Sequence, residues 1–208
     1  MDILNVVQKA IDDSSKPIII ELGGCDGYHS KIISKKLIDS HKEYIYIILE
    51  PVEDLYLKIL ANFQNVPNTF VLKKAIGSHN GIVKFYQSDS KYYGSSSIRK
   101  PKRAYDFWQD MTFQETSCEC ITLDQLISDY KIEKIDFIWA DVQGAEKDLI
   151  KGGQLALANT RYFYTEFMEY EVYEGQEYDY KNLLETLPNF DVEHKFDYDI
   201  LFKNKQYV

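Results

Sequence analysis

Nothing in this chain approaches the ~18 consecutive apolar residues that a membrane span needs. Met1 to Lys16 is a charged amphipathic stretch without the apolar centre of a signal peptide. The expectation is a protein that stays in the cytoplasm, where it is made. Cysteine is scarce: Cys25, Cys118 and Cys120 cannot all pair, and the last two form only a C-x-C with no second ligand pair at zinc-finger spacing. All three read as reduced thiols. Positive charge is in deficit, with 24 Lys and Arg against 33 Asp and Glu and a formal net charge of −9. Such a chain is repelled by phosphate backbones and anionic lipid, which disfavours nucleic-acid and membrane partners. One local exception, Arg99, Lys100, Lys102 and Arg103, reads as a solvated loop or as a rim that attracts an anionic substrate. No internal repeat, Pro-rich linker or low-complexity tract interrupts the chain.

What remains is an ordinary globular composition, 45% hydrophobic and 27% charged over 208 residues. This length suits one domain with a sizeable core, residues 1–208, and leaves the oligomeric state open. Short branched apolar runs alternate with helical spacing. Strands are expected at Pro17–Leu22, Tyr44–Leu49, Thr69–Lys74, Ile82–Gln87, Ile135–Ala140 and Arg161–Phe167. Helices are expected over Gly27–Ser40, from Pro51 to about Asn62, over Thr122–Tyr130, from Glu146 to Lys151 (stopped by Gly152-Gly153) and over Tyr180–Leu187. Phe190–Phe196 and Ile200–Lys203, joined at Asp197-Tyr198-Asp199, should form an antiparallel hairpin. The periodicity breaks down across 88–116, which reads as a substrate loop with a short helix around Trp108. The fold class is therefore α/β, a mostly parallel Rossmann-like sheet covered on both faces. Ligands of such sheets bind at the carboxyl ends of the strands.

The first strand ends in Glu21-Leu22-Gly23-Gly24-Cys25-Asp26-Gly27. Glycines here let a turn approach a ligand closely, although a purely structural strand-to-helix turn would look the same. The spacing is G-x-x-x-G, not the G-x-G-x-x-G of dinucleotide binders, and favours a nucleoside without a pyrophosphate. Glu21 could meet a cationic ligand. Glu50, ahead of Pro51 and 23 residues beyond Gly27, lies close to the ~20 at which an acid reaches ribose hydroxyls. It could instead favour the dipole of the following helix. Asp141 follows the strand at 135–140, within Asp-Val-Gln-Gly-Ala-Glu.

With ELGGCDG at 21–27, LEP at 49–51, ITLDQL at 121–126, IDFIWADVQGAE at 135–146 and YTEF at 164–167, the sequence resembles the FkbM-type methyltransferases, a class I branch dependent on S-adenosylmethionine. The resemblance spans roughly residues 17 to 170. It departs at Gln143, where the family usually has Glu, and at Gly24-Cys25, usually Ala-Asn. It implies that Glu21, Gly23 and Gly27 cradle the methionine portion of the donor and Glu50 the ribose. Ala75-Ile76-Gly77 would border the adenine, and Asp141 would sit beside the sulfonium. Gly24, Asp26, Pro51 and Val142 flank these contacts. It also implies O-methylation of a hydroxyl on a sugar or small metabolite, with a small-molecule or glycan acceptor.

Methyl transfer from a sulfonium is an in-line displacement, so positioning supplies much of the acceleration and no metal is required. An alcohol must also lose its proton, for which Asp141, Glu166 and His29 are the candidate bases. Asp141 with Glu166 could coordinate Mg²⁺, but two visible ligands make that the minority reading. Tyr170 and Tyr173 could line an acceptor pocket or pack beneath a loop. Two rival functions remain: a nicotinamide-dependent oxidoreductase, disfavoured by the missing third glycine, and a donor-fold binding module that has lost catalysis.

Overall fold

The computed structural model describes residues 1–89, 91–103, 110–176 and 179–207. The short helix expected around Trp108 lies outside them. The chain opens with α1 (Ile3–Asp12), whose first turn is capped by the Asp2 carboxylate accepting from Leu4 N at 2.9 Å. Then follow β1 (Ile18–Leu22), α2 (Tyr28–Asp39), β2 (Ile45–Leu49), α3 (Glu53–Phe63), β3 (Thr69–Leu72), β4 (Ala75–Ile76) and β5 (Gly81–Ser88). After a one-turn 3₁₀ helix at Tyr93–Ser95 come β6 (Phe113–Ile121), α4 (Leu123–Asp129), β7 (Ile135–Ala140), α5 (Glu146–Gly152) and α6 (Gln154–Ala158). The chain closes with β8 (Thr160–Glu166), α7 (Tyr180–Glu185), β9 (Phe190–Lys195) and β10 (Asp199–Asn204).

Seven strands form one sheet in the order β3-β2-β1-β7-β8-β10-β9. The first five are mutually parallel, and β10 runs antiparallel to both neighbours. The C-terminal hairpin is present, but it is its second strand that joins the sheet. Parallel strands lie between helical layers, which is why Ile135–Ala140 is buried at every position. On one face Ile20, Leu22, Ile138 and Phe163 pack against α4 to α7. On the other, Ile19, Tyr46, Phe137 and Tyr162 pack against α1 to α3. No helix among the described residues is long and apolar enough to cross a membrane.

One expectation needs correction. Residues 113–116 are not loop but the start of β6, which pairs with β5 from Ser88↔Phe113 to Gly81↔Cys120 in a second sheet, β4-β6-β5. Most of β6 is solvent-facing and polar (Gln114, Glu115, Thr116, Ser117), so it lacks the apolar alternation by which a strand is recognised. The Gly152-Gly153 pair ends α5 as expected, and a separate short helix, α6, starts directly after it. Gly152 is there for contact: a Cβ on it would fall 2.1 Å from the Gly77 carbonyl oxygen.

Candidate active site

Strand register lines up the ends of five strands. Leu22 pairs with both Leu49 and Ala140, and Ala140 pairs with Thr165. The following residues, Glu50, Gly23, Asp141 and Glu166, therefore stand in a row along the carboxyl edge. Asp199, paired with Glu166, extends it. Strand alternation sends Glu21, Glu50, Asp141 and Glu166 to the face that carries α1 to α3. Four acids and one glycine thus occupy the edge where ligands of such sheets bind.

A cleft opens beside this row. Of the residues expected to hold a donor, Gly23, Glu50, Pro51, Ala75, Asp141 and Val142 line it. Its lining combines the carboxyl groups of Glu50 and Asp141 with the apolar side chains of Ala75, Ile76, Phe85 and Ile98. Glu50 is buried, its Oε2 accepting from Cys25 N and its Oε1 from Val52 N, both at 2.8 Å. It thus ties down the turn just ahead of α3 and lines the cleft.

The remaining candidates shape the site without lining the cleft. Glu21 is buried and accepts from the Tyr46 hydroxyl. A Cβ on Gly24 would meet Ile48 and Ile59 at 2.7 Å, so this glycine lets α3 pack closely. Asp26 caps the Tyr28 N–H at 3.0 Å, and Gly27 opens α2 in the left-handed region at φ 78°. The His29 ring lies over Trp139 with centroids 4.6 Å apart. Burial lowers its pKa, and the Asp141 charge partly offsets this. Glu166 and Asp141 interact directly and are also bridged by Gln143, whose Nε2 donates to Asp141 Oδ1 at 2.6 Å and to Glu166 Oε2 at 2.7 Å. The two carboxyl groups weighed for Mg²⁺ thus already share an amide donor. Among the described residues no three His, Cys, Asp or Glu side chains group to hold a metal.

Crowded acids with little water raise one another's pKa. Burial pushes Glu21, Glu50 and Glu146 each up to about 7, and Asp199 to about 6. Asp141 is raised by burial against its contacts with Gln143 and Glu166. Glu166 is raised much further, by burial and then by the charges of Asp141, Glu146 and Asp199. The two carboxyl groups thus titrate as a pair held above the usual carboxylate range by burial and mutual repulsion. A site of this kind suits a cationic ligand.

The loop expected to take substrate contributes Tyr93, Gly94, Ser96, Ser97 and Ile98 to the wall of the cleft. Its basic cluster is not a free rim. Arg99 pairs with Asp148, Lys100 with Glu174 and Lys102 with Glu171, while Arg103 lies over the Tyr170 ring. These contacts clasp the loop to residues 170–175. Tyr173 is buried in that clasp, its hydroxyl 2.8 Å from the Ser95 carbonyl, and packs under the loop. Glu146 and Asp199 escape notice in the sequence as site residues, and Gln143 is marked there only as a departure from the family pattern. Strand alternation was the available signal for Asp199, which shares a sheet face with Leu201.

A family model described as "Methyltransferase FkbM domain" matches residues 21–200. The 2-O-methyltransferase NoeI of Sinorhizobium fredii (strain NBRC 101917 / NGR234) is 32% identical over 198 residues, covering 90% of this chain and 79% of that protein. Among solved structures, methyltransferase FkbM from Methylobacillus flagellatus KT superposes with a TM-score of 0.56 at 12% identity, over 91% of this chain and 44% of that one. At that identity the likeness is one of fold, and this chain spans less than half of that protein's length.

Proposed function

The chain belongs to the FkbM methyltransferase family, and from that premise we propose that it transfers a methyl group from S-adenosylmethionine to a hydroxyl oxygen of a sugar or related small metabolite. The observation that carries this reading is the row of carboxyl groups along the strand ends, two of which line a cleft together with apolar side chains. The residues fit the donor's chemistry: a flat apolar base, a diol and a positively charged end. When bound, the donor supplies an electrophilic methyl group on a cationic sulfur. Ala75, Ile76, Phe85 and Ile98 enclose the base. Each Glu50 oxygen gives one lone pair to a backbone N–H and keeps another for a ribose hydroxyl. Asp141 faces the positive end and takes the acceptor's proton as the new bond forms. Gln143 and Glu166 hold Asp141 in place. Glu21, Gly24, Asp26, Gly27 and His29 shape the turn and helix start that frame the donor. The relative's designation as a 2-O-methyltransferase supports oxygen as the acceptor atom.

The test is calorimetric titration with S-adenosylhomocysteine and, separately, with NAD, followed by methyl transfer to a panel of sugars. Micromolar binding of the first, lost in Glu50→Ala, supports the donor site. Absence of binding overturns it, and binding without transfer to any acceptor would leave the inactive binding module as the reading.

A further inference from the structure

Gln143 has a costly backbone and a demanding set of partners. Its φ is +50°, in the left-handed region that few non-glycine residues adopt. Strain of this kind persists only where the surroundings enforce it. Here they do so from two directions. The Ser97 hydroxyl donates to the Gln143 carbonyl at 2.6 Å. The Tyr173 ring packs on the next residue, Gly144, where a Cβ would fall 2.8 Å from Cδ2. The Tyr173 hydroxyl then reaches two acceptors, the Ser95 carbonyl at 2.8 Å and Gln143 Oε1 at 3.1 Å.

With Oε1 turned to Tyr173, the amide nitrogen faces the acids and donates to both Asp141 and Glu166. A primary amide has two such protons. A carboxyl group in its place has at most one and adds charge. Glu146 and Asp199 already repel Glu166, so the pair needs donors rather than another acid.

We propose that Gln143 is a positioning residue: it fixes Asp141 and Glu166 relative to each other and, through Tyr173 and Ser97, ties them to the loop in the wall of the cleft. This rests on the role of Asp141 proposed above. The test uses Gln143→Met, Gln143→Glu and Tyr173→Phe in the full chain. In the ligand-free protein, ¹⁵N–¹H spectra should show both Gln143 side-chain amide protons deshielded and exchanging at least about tenfold more slowly than those of an exposed glutamine. Tyr173→Phe should reduce that protection. In turnover, both Gln143 variants should lose about 100-fold in kcat, and Tyr173→Phe about tenfold. Affinity for S-adenosylhomocysteine should stay within about threefold of the parent, a split between binding and kcat that a merely structural role would not give. If the Gln143 variants fail to fold, Tyr173→Phe carries the test. Solvent-like exchange of the amide protons in the parent protein would overturn the proposal. So would full kcat in Gln143→Met. If the parent methylates no acceptor, the functional reading fails while the spectra still decide the role of Gln143.

Discussion

A β-carbon on Gly23 would lie 2.1 Å from the carbonyl oxygen of Asp141. The turns after β1 and β7 therefore touch backbone to backbone, and Asp141 N donates to Leu22 O at 2.9 Å alongside. This glycine serves the neighbouring strand as much as any ligand, and its φ of +91° adds a second reason for it. Gly23→Ala meets both the clash and the strained backbone. It should destabilise the protein by more than about 2 kcal/mol and displace Asp141. Thermal unfolding followed by calorimetry checks this, and a Tm within about 2 °C of the parent would count against it.

The buried acids set a slope of stability with pH. In the folded chain Glu21, Glu50 and Glu146 titrate near about 7, raised by burial, against an ordinary value of 4.5. Between those values the folded chain holds protons that the unfolded chain has released. Their contribution is complete below the ordinary value and is lost as the pH rises through about 7. The ligand-free Tm should therefore fall between about pH 5 and about pH 8. Glu146→Gln keeps an oxygen to accept from Gly144 N and removes one ionisation, so it should flatten the slope. A Tm that rises across this window would contradict the assignment.

Much of this architecture is legible in the sequence. Ile18–Leu22, Ile45–Leu49 and Ile135–Ala140 are mostly apolar runs, broken only by the buried acids Glu21 and Asp136, and a strand buried on both faces needs such a run. Their order with the intervening helices implies the parallel sheet, and so the edge where Glu50 and Asp141 lie. Local sequence is silent on what depends on register and on long-range contact. Asp199 joins the acid row only because β10 inserts beside β8. Tyr173 reaches Gln143 from 30 residues away because its ring rests on a glycine. The basic cluster at 99–103 misleads for a related reason. Its acidic partners, Asp148, Glu171 and Glu174, lie far along the chain.

Arg99 supplies the most enclosed of those pairings. Its Nε donates to Asp148 Oδ2 at 2.6 Å, and its Nη1 donates to the carbonyls of Glu174 and Gly175 at 3.2 and 3.0 Å. Both charged side chains are about four-fifths buried, at 23% and 18% exposure, so the contact is less screened than a surface pair. Arg99→Ala leaves Asp148 and two carbonyls without these donors. It should cost about 1–3 kcal/mol and speed amide exchange across residues 170–175 more than in the main sheet. Exchange that changes equally in both regions would show that the clasp has no local role.

Asp141→Asn separates charge from shape. The side chain keeps its size and an oxygen for the Gln143 amide, and it loses the negative charge. Removing a partly buried charge from a cluster of acids should not lower stability. The loss should fall on chemistry, with turnover down by about 10²–10⁴ as the proton acceptor disappears. It should also fall on the sulfonium itself. S-adenosylhomocysteine has no charge on sulfur, so its affinity should change little. A donor analogue with a fixed positive charge at that position should bind about tenfold more weakly to the variant, as a nearby unit charge in a partly solvated site implies. Calorimetry with the two ligands gives the comparison directly. Equal losses for both would mean that Asp141 holds some other part of the donor. Unchanged turnover would remove it from the proton transfer altogether.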